Sequence, residues 1–469
     1  MAAPVFENSY AALPERFFAR VAPAGSPSPR LVALNGELAS RLGLDLGWLS
    51  GPDGLDMLSG NALPEGAASI SQAYAGHQFG LLVGQLGDGR AVMIGEVVAP
   101  DGARFDLQLK GCGQTPFSRS GDGRAWLGPV LREYLASEFM HAAGVPTTRA
   151  LAAVTSGERV WRDAPLPGAI LTRVASSHVR VGTFEYFALR GDLEALGLLA
   201  DHVIARHCPR AEGPLGLLAF ATEAQARLIA QWMALGFIHG VMNTDNMALS
   251  GETIDYGPCA FMDAHHPGTV FSSIDRFGRY AWDEQPQVAM WNLAQLASCL
   301  IPLLGEERRA LAEATRVIQS FPALYEAEWL RSFGAKLGLA SPKDKDRTLI
   351  EGLLGLMDEQ GADFTRVFHG LSTGAARDEF TDPAAFDAWV REWREAGPDE
   401  ALMARTNPAR IPRNHRIEEA IRAAVASDLG PFHRLDEALR SPFEQRPEWD
   451  DLALAPSESE RVRQTFCGT

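Results

Sequence analysis

Three side chains with oxygen atoms stand close together near the middle of the chain. Asp245 and Asn246 are neighbours, and Asp255 follows them after the turn-forming pair at 250–251. Carboxylate and amide oxygens are the ligands that Mg²⁺ prefers, usually supplemented by waters and substrate phosphates. An Asx-rich turn between a helix and a hairpin would use the same residue types. The pattern therefore indicates either metal-assisted phosphate chemistry or a structural turn, and this stretch alone does not decide between them.

The order of these residues is similar to that in the catalytic segments of protein kinases. In kinases an aspartate of the catalytic loop acts as base, and an asparagine and the aspartate of D-F-G hold metal. Here D-Y-G at 255–257 looks like a D-F-G variant. His239 and Asp245-Asn246 look like a rearranged H-R-D-x-x-x-x-N. His239 is then expected to be a buried hydrogen-bonding residue that supports the catalytic loop.

A lysine and a glutamate upstream form a second candidate pair. Lys110 ends a predicted strand and faces away from its apolar side, so it could reach a phosphate. Glu133 lies on the next predicted helix and could hold that lysine, as a helix glutamate does in kinases. Glu138 is the rival acid on the same helix. The alternative is a surface ion pair, which would contribute little to stability.

Two glycine-rich stretches and several arginines could bind phosphates. Residues 86–90, L-G-D-G-R, are predicted to form a hairpin tip, where backbone N–H groups can approach an anion. Residues 121–124, G-D-G-R, together with Arg173 and Arg180, supply guanidinium groups that suit phosphate oxygens. Arg90 and Arg124 belong to these stretches. The alternatives are a tight turn and solvated surface arginines.

The periodicity of apolar residues predicts a β-rich first part and a helical remainder. The first 65 residues are predicted to be an extended arm with one small helix near residues 29–44. The further elements predicted up to residue 174 are a hairpin around residues 88–89, strands over 104–110, 151–154 and 168–174, and a helix over 129–143 that Gly144 ends.

Beyond about residue 185 the pattern is helical. A helix is predicted over 222–237, with a capping box formed by Thr222 and Gln225 at its start. The remaining predicted helices lie over 287–304 and in amphipathic pairs across most of 307–440. The last forty residues, rich in Pro, Glu and Ser, are predicted to form a loosely held tail. The resulting division is an N-terminal extension over 1–65, a β-rich lobe over 66–180, a helical lobe over 181–440 and a tail over 441–469.

The composition is typical of a soluble globular protein with two or more packed units. The 469 residues are 46% hydrophobic and 22% charged. The formal net charge of −16 argues against a nucleic-acid or membrane partner. None of the five cysteines forms a C-x-x-C pair, which disfavours zinc and iron–sulfur sites. Sparse cysteines and the lack of a secretory signal predict a reducing, cytoplasmic compartment.

Taken in order, several motifs resemble the selenoprotein O (SelO) family. The motifs are YAGHQFGLLVGQLGDGRA, DLQLKGCGQTPFSRSGDGRA, LREYLASE with GVPTTRAL, HGVMNTDN and IDYGP. The likeness begins at FENSYAALPERFFARV and extends to NPARIPRNHRIEEAI near residues 407–421. It therefore covers nearly the whole chain, and long motifs in a fixed order are highly specific.

The resemblance implies an α+β, protein-kinase-like fold with a β-rich N-lobe and an α-helical C-lobe. It implies transfer of AMP from ATP, bound in an orientation flipped relative to kinases, to Ser, Thr or Tyr hydroxyls of proteins. The metal would be Mg²⁺ or Mn²⁺, and the partners would be ATP and protein acceptors, which include the chain itself. Asp245 would be the base, Asn246 and Asp255 the metal ligands, and Glu133 the residue that orients Lys110. The implied nucleotide-binding residues are Gly87, Gly89, Arg90, Lys110, Asp122, Gly123, Arg173, Arg180 and Asp255.

The C-terminal cysteine is the last feature of the resemblance. Cys467 stands third from the end, where eukaryotic members carry selenocysteine. Some bacterial members pair this cysteine with one in the activation segment, but the corresponding stretch here, GTVFSSIDRFGRY, has no cysteine. Cys259 is the nearest substitute. Cys467 is predicted to be a redox-accessible thiol outside the catalytic machinery.

Three functions stay open at this level. The first is transfer of AMP to proteins, and the second is kinase-type phosphoryl transfer, because the sequence does not show which phosphorus faces the nucleophile. The third is a nucleotide-binding scaffold without catalysis, since the H-R-D order is broken. The presence of every metal and base candidate argues against the scaffold.

Overall fold

The computed structural model describes residues 2–466 and shows a mixed α+β architecture. Strands dominate up to about residue 175, and helices dominate from residue 181 onward. The thiol predicted to be redox-accessible, Cys467, lies outside the described residues. Among residues 2–466, no helix combines the length and the apolarity that crossing a bilayer requires.

Antiparallel strands build one large sheet and two small ribbons in the first part of the chain and at the site. The strands are β1 Phe18–Arg20, β2 Arg30–Leu34, β3 Ile70–Gln72, β4 Gly76–Gln78, β5 Leu81–Val83, β6 Ala91–Val98, β7 Arg104–Lys110, β8 Ala125–Trp126, β9 Arg149–Trp161, β10 Pro165–Ala175, β11 Phe237–Ile238 and β12 Ala260–Phe261. The main sheet has the order β1-β3-β6-β7-β10-β9-β2, with β8 paired to β10. The ribbons are β4-β5 and β11-β12.

The central strand β7 confirms the predicted strand and its alternation. Leu107 and Leu109 are fully buried in an apolar cluster on one face of the sheet. Asp106, Gln108 and Lys110 point to the other face and are also buried. Each of these polar side chains is held by an ion pair or a hydrogen bond, as buried polar groups require. This polar face is the one that carries the candidate site.

The hairpin predicted around residues 88–89 is wrong. β5 pairs with β4, whereas β6 pairs with β3 and β7. The segment between β5 and β6 instead follows the end of β3, because Leu86 N donates to Tyr74 O at 2.8 Å and Asp88 N donates to Gln72 O at 3.0 Å. These long-range backbone bonds replace the ladder that the local pattern suggested.

Helices form most of the second part of the chain, shorter helices lie within the first part, and helices cover both faces of the sheet. They are α1 Gly36–Arg41, α2 Leu46–Leu49, α3 Pro52–Ser59, α4 Leu127–Ala142, α5 Val181–Ala188, α6 Leu193–His207, α7 Gly213–Leu235, α8 Gln285–Leu300, α9 Glu307–Gln319, α10 Phe321–Lys336, α11 Arg347–Gln360, α12 Phe364–Thr373, α13 Pro383–Glu395, α14 Glu400–Thr406, α15 Asn414–Val425, α16 Gly430–Arg440 and α17 Asp450–Ala453. α4 confirms the helix predicted over 129–143, and Gly144 follows it with φ +78°.

The long helix α7 begins earlier than predicted. It starts at Gly213, so Thr222 lies inside the helix and its Oγ1 donates to Leu218 O at 2.8 Å. Thr222 therefore forms no capping box. The helix ends at Gly236, whose φ of +66° closes the last turn.

The first 65 residues contribute to the sheet and are not only an arm. β1 and β2 form its two edges. The helix predicted near residues 29–44 is replaced over its first part by β2, which pairs with β9. Only the short α1 follows, with the Asn35 side chain accepting from Leu38 N at its start. Pairing with a long strand outweighs the local helical pattern here.

The prediction of a loosely held tail is wrong for its described residues. Trp449 and Leu452 are buried against the helical part. Thr465 is 1% exposed, and its N–H donates to Phe271 O at 2.7 Å. Its hydroxyl donates to Pro258 O at 2.5 Å. A few buried anchors hold this polar segment, although its composition is unfavourable for an independent core.

Candidate functional site

A cavity of about 900 Å³ lies where the polar face of the sheet meets the loops that follow α7. Of the described residues, seven basic and four acidic side chains line it, although the whole chain carries a formal charge of −16. These side chains are Asp88, Arg90, Lys110, Arg119, Asp122, Arg124, Arg162, Arg173, Arg180, Asp245 and Asp255. A local excess of positive charge in an acidic protein indicates a site for an anionic ligand.

Asp255 is the electrostatic centre of the cavity. Its Oδ1 accepts from Lys110 Nζ at 2.7 Å and from Arg173 Nη1 at 2.6 Å, and its Oδ2 accepts from Arg180 Nη1 at 2.6 Å. Burial alone would raise the pKa of Asp255, but the charges of Arg173, Lys110 and Arg180 outweigh it and hold that pKa well below its usual value. The carboxylate therefore stays ionised and gathers three cations that the sequence places far apart.

The predicted pairing of Lys110 with Glu133 is present. Lys110 Nζ donates to Glu133 Oε2 at 2.5 Å, from the end of β7 to the middle of α4. The rival acid Glu138 points elsewhere and accepts from Arg149 Nη2 at 2.6 Å and from Asn35 Nδ2 at 2.7 Å. One helical turn and a half separates the two glutamates, so α4 presents them to different parts of the sheet.

Asp245 lies in a 3₁₀ turn, Thr244–Asn246, at the cavity wall. Its Oδ1 is buried and has no hydrogen-bond partner among the described residues. Burial raises the pKa of Asp245 to about 7, against the opposing charge of Arg180. A carboxyl group that titrates near neutral pH beside an anion site suits general base chemistry.

The ribbon β4-β5 covers this carboxyl group, and only glycine allows it to do so. A Cβ on Gly76 would lie 2.4 Å from Asp245 Oδ1. The next residue, His77, donates its backbone N–H to Thr244 Oγ1 at 2.6 Å. Nothing in the local sequence around Gly76 indicated this approach, so sequence analysis missed it.

The loop that carries Asp245 is supported as predicted by His239. This residue is fully buried, and its Nε2 lies 2.8 Å from Ile254 O, which joins the loop to the segment of Asp255. Burial lowers the pKa of His239, so the ring is neutral and serves as a hydrogen-bonding support. Asn246 Nδ2 donates to Val241 O at 2.9 Å, which fixes the amide of Asn246 at the cavity.

The residue types suit a hard divalent cation, although both oxygens of Asp255 already accept from Lys110, Arg173 and Arg180. Asp245, Asn246 and Asp255 all line the cavity with oxygen atoms, and the bond from Asn246 Nδ2 leaves the oxygen of that amide as the ligand atom. Within residues 2–466, no group of three or more His, Cys, Asp or Glu side chains is arranged to hold a metal ion. A cation at this place would therefore depend on Asn246 and on ligand phosphates in addition to Asp255.

The predicted glycine-rich stretch at 86–90 forms a wall of the cavity. Gly87 has φ +87°, and a Cβ there would lie 2.4 Å from the ring of Phe117. A Cβ on Gly89 would lie 2.8 Å from Phe117 O. Asp88 is buried at this wall, where its Oδ2 accepts from Gln72 N at 3.1 Å and its Oδ1 lies 3.7 Å from Arg180 Nη2. The stretch brings Gly87, Gly89 and Arg90 to the cavity although it forms no hairpin.

The second glycine-rich stretch, 121–124, is held by residues that sequence analysis did not identify. Arg162 Nη1 donates to Asp122 Oδ2 at 2.8 Å and lines the cavity with Asp122 and Gly123. Arg119 lines the cavity as well. Arg124 lines it too, but its guanidinium donates to Glu158 Oε1 at 3.0 Å. The link to Arg162 depends on the pairing of β9 with β10, for which no local motif exists.

The C-terminal segment supports the opposite wall. Thr465 contacts the chain on both sides of the stretch between residues 258 and 271. Pro258 and Ile274, at and just beyond the ends of this stretch, line the cavity. The segment that sequence analysis assigned to a loose tail therefore positions part of the site.

Comparison with known proteins gives consistent results along the whole chain. The sequence model of the family described as protein adenylyltransferase SelO matches residues 2–440. The protein nucleotidyltransferase YdiU of Ruegeria sp. (strain TM1040) is 57% identical over 469 residues, which cover 99% of each chain. The protein of the same name from Jannaschia sp. (strain CCS1) is 58% identical over 475 residues, again with 99% coverage of each.

Proposed function

The chain belongs to the protein adenylyltransferase SelO family, and we propose that it transfers AMP from ATP to Ser, Thr or Tyr hydroxyls of proteins with the help of Mg²⁺. The observation that carries the proposal is the cavity itself. It joins Asp245, whose Oδ1 has no hydrogen-bond partner among the described residues and whose pKa is about 7, to a cluster of buried cations around Asp255. A base and an anion site are the two parts that nucleotidyl transfer to a hydroxyl requires.

The nucleotide is proposed to lie along the basic part of the cavity. Lys110, Arg173 and Arg180 are charged and buried, so their attraction for phosphate oxygens is weakly screened by water. Arg90 and Arg162 stand on two other walls of the cavity. The proposed nucleotide-binding residues are Gly87, Gly89, Arg90, Lys110, Asp122, Gly123, Arg173, Arg180 and Asp255. Glu133 orients Lys110.

In the proposed reaction, the acceptor hydroxyl gives its proton to Asp245 while its oxygen attacks the α-phosphorus. The bond from that phosphorus to the bridging oxygen breaks, and diphosphate leaves with the electron pair. The arginines and Lys110 stabilise the charge on diphosphate, so most of the catalysis is positioning and electrostatic stabilisation. Asn246 and Asp255 would hold Mg²⁺, which supplies further charge neutralisation at the phosphates.

We also propose that the chain is organised as a kinase-like pair of lobes, with a β-rich lobe over residues 66–180 and a helical lobe over 181–440. The pair Lys110–Glu133, the D-Y-G segment and the position of the cavity between strands and helices support this division. The extension 1–65 is then part of the first lobe's sheet through β1 and β2. The described part of the tail, residues 441–466, is a C-terminal segment docked on the helical lobe.

The test uses ATP labelled at either the α- or the γ-phosphate. Label from α-labelled ATP should enter protein, first by self-modification when no other acceptor is present, and γ-label should not. The modified peptide should gain the mass of an adenylyl group on Ser, Thr or Tyr. Asp245→Ala should remove the transfer, whereas Asp344→Ala, at an exposed position away from the cavity, should not. Transfer of γ-label alone would establish a kinase, and ATP binding without transfer of either label would establish a scaffold.

A further inference from the structure

A second cavity adjoins the candidate active site and opens to the surface. Its volume is about 510 Å³, and we call it the side groove. Phe79 and Ile274 line both the side groove and the main cavity, so the two cavities share a wall. The groove is bordered by Phe277, which is 98% exposed, and by the half-buried Trp291 on α8. Ile274 is 57% exposed and borders the same groove, so its side chain and that of Phe277 give the groove an exposed apolar rim, and an apolar patch of this kind indicates a surface that another molecule covers.

The side groove is built on the loop that carries the candidate base. Asn243 Oδ1 accepts from Tyr280 Oη at 2.6 Å and from Phe79 N at 3.2 Å. The turn from Asp275 to Tyr280 is closed by the Asp275 carboxylate, which accepts from Tyr280 N at 2.8 Å. This turn carries Phe277 outward at its middle. The groove therefore has a fixed position relative to the end of the main cavity where the acceptor hydroxyl must enter.

The floor of the side groove also offers a polar group. The guanidinium of Arg279 lies 5.0 Å from the ring centre of Trp291, and its Nε is buried without a hydrogen-bond partner among the described residues. Such a donor can bind a peptide carbonyl or a carboxylate. Aromatic side chains and arginine are enriched at the centre of protein-binding surfaces.

We propose that the side groove binds the protein substrate next to its acceptor residue, through one large apolar side chain of an extended segment. This inference rests on the proposed AMP transfer, because only a protein acceptor needs a docking surface beside Asp245. The groove adjoins the main cavity, and an extended chain advances about 3.3–3.6 Å per residue. The apolar residue should therefore stand within about three residues of the modified hydroxyl.

The test measures the selection of flanking residues by the full-length protein. The acceptors are synthetic peptides with one central Ser, Thr or Tyr and one varied flanking position, and the readout is incorporation from α-labelled ATP. Leu, Phe or Met at one position near the acceptor should raise kcat/KM about tenfold over Ala, through burial of the apolar side chain. Phe277→Ser should abolish this selection without changing the affinity for ATP. Leu311→Ser, which removes an exposed leucine of α9, is the matched control and should keep it.

The possible results separate the two proposals. Transfer with equal rates for all flanking residues would overturn the docking role and leave AMP transfer intact. Absence of α-label in every acceptor, including the protein itself, would refute AMP transfer and with it the role of the groove. Sedimentation of wild type and Phe277→Ser tests whether the groove instead binds a second copy of the chain. A dimer that the substitution dissociates, together with unchanged flank selection, would assign the groove to a second copy of the chain and overturn the proposal.

Discussion

Replacing Asp245 with asparagine should stabilise the folded protein at alkaline pH, although the residue is proposed to act in the reaction. Burial raises the pKa of Asp245 from 3.8 to about 7. Because the folded-state pKa lies above the unfolded value, the stability that this group contributes is complete below pH 3.8 and is lost as pH rises to about 7. About three pH units at roughly 1.36 kcal/mol each correspond to a cost of about 4 kcal/mol for the ionised group.

The experiment compares urea unfolding of wild type and Asp245→Asn from about pH 5.5 to about pH 8, in the presence of a chelator and without nucleotide. Over this interval the wild type passes through the last part of its titration. The free energy of unfolding of the variant, relative to wild type, should therefore increase by about 2 kcal/mol. Asp344→Asn removes an exposed carboxyl group and serves as the control for the general effect of losing one acid.

The titration of Asp245 should also appear in the pH dependence of AMP transfer. A base must be deprotonated, so transfer of α-label by the wild type should fall as pH drops below about 7. Parallel unfolding curves for wild type and Asp245→Asn across the whole interval would refute the reasoning. That result would mean that Asp245 is ionised in the folded protein across the whole interval, so its pKa would lie below the near-neutral range.

Three further predictions concern the groups around this residue. Asp255→Asn should remove transfer and lower the free energy of unfolding by about 3–5 kcal/mol, because Lys110, Arg173 and Arg180 lose the anion that they share. An inactive variant that unfolds in urea like wild type would show that the remaining partners, Glu133 among them, satisfy these cations. Glu133→Gln should raise KM for ATP about tenfold with a smaller effect on kcat, since Lys110 loses the anion that orients it. Initial rates that are unchanged across ATP concentrations would contradict that role of Glu133. Thr465→Val should accelerate hydrogen–deuterium exchange in the segment from Pro258 to Phe271, because the hydroxyl that anchors this segment is lost. Exchange equal to that of wild type would show that the C-terminal segment does not hold this wall of the cavity.

The sequence by itself determined the elements whose information is local. The alternation in β7 and the apolar spacing in α4 predicted both elements to within two residues of their observed ends. The residue types around Asp245 and Asp255 narrowed this stretch to metal-assisted phosphate chemistry or a structural turn. Lys110 could also be identified, because it ends a strand with its side chain on the polar face. These conclusions depend on neighbours along the chain, which a sequence displays directly.

Only the tertiary structure decided which of these groups meet and at which pH Asp245 titrates. Glu133 was the favoured partner of Lys110 and Glu138 its rival, and the packing of α4 on the sheet directs the first to Lys110 and the second to Arg149. The hairpin predicted around residues 88–89 does not form for a related reason, since its backbone groups bond instead to partners distant in the chain. The titration of Asp245 near neutral pH follows from its burial beneath the ribbon that begins at Gly76. Burial and long-range pairing are properties of the assembled chain, so no local pattern contains them.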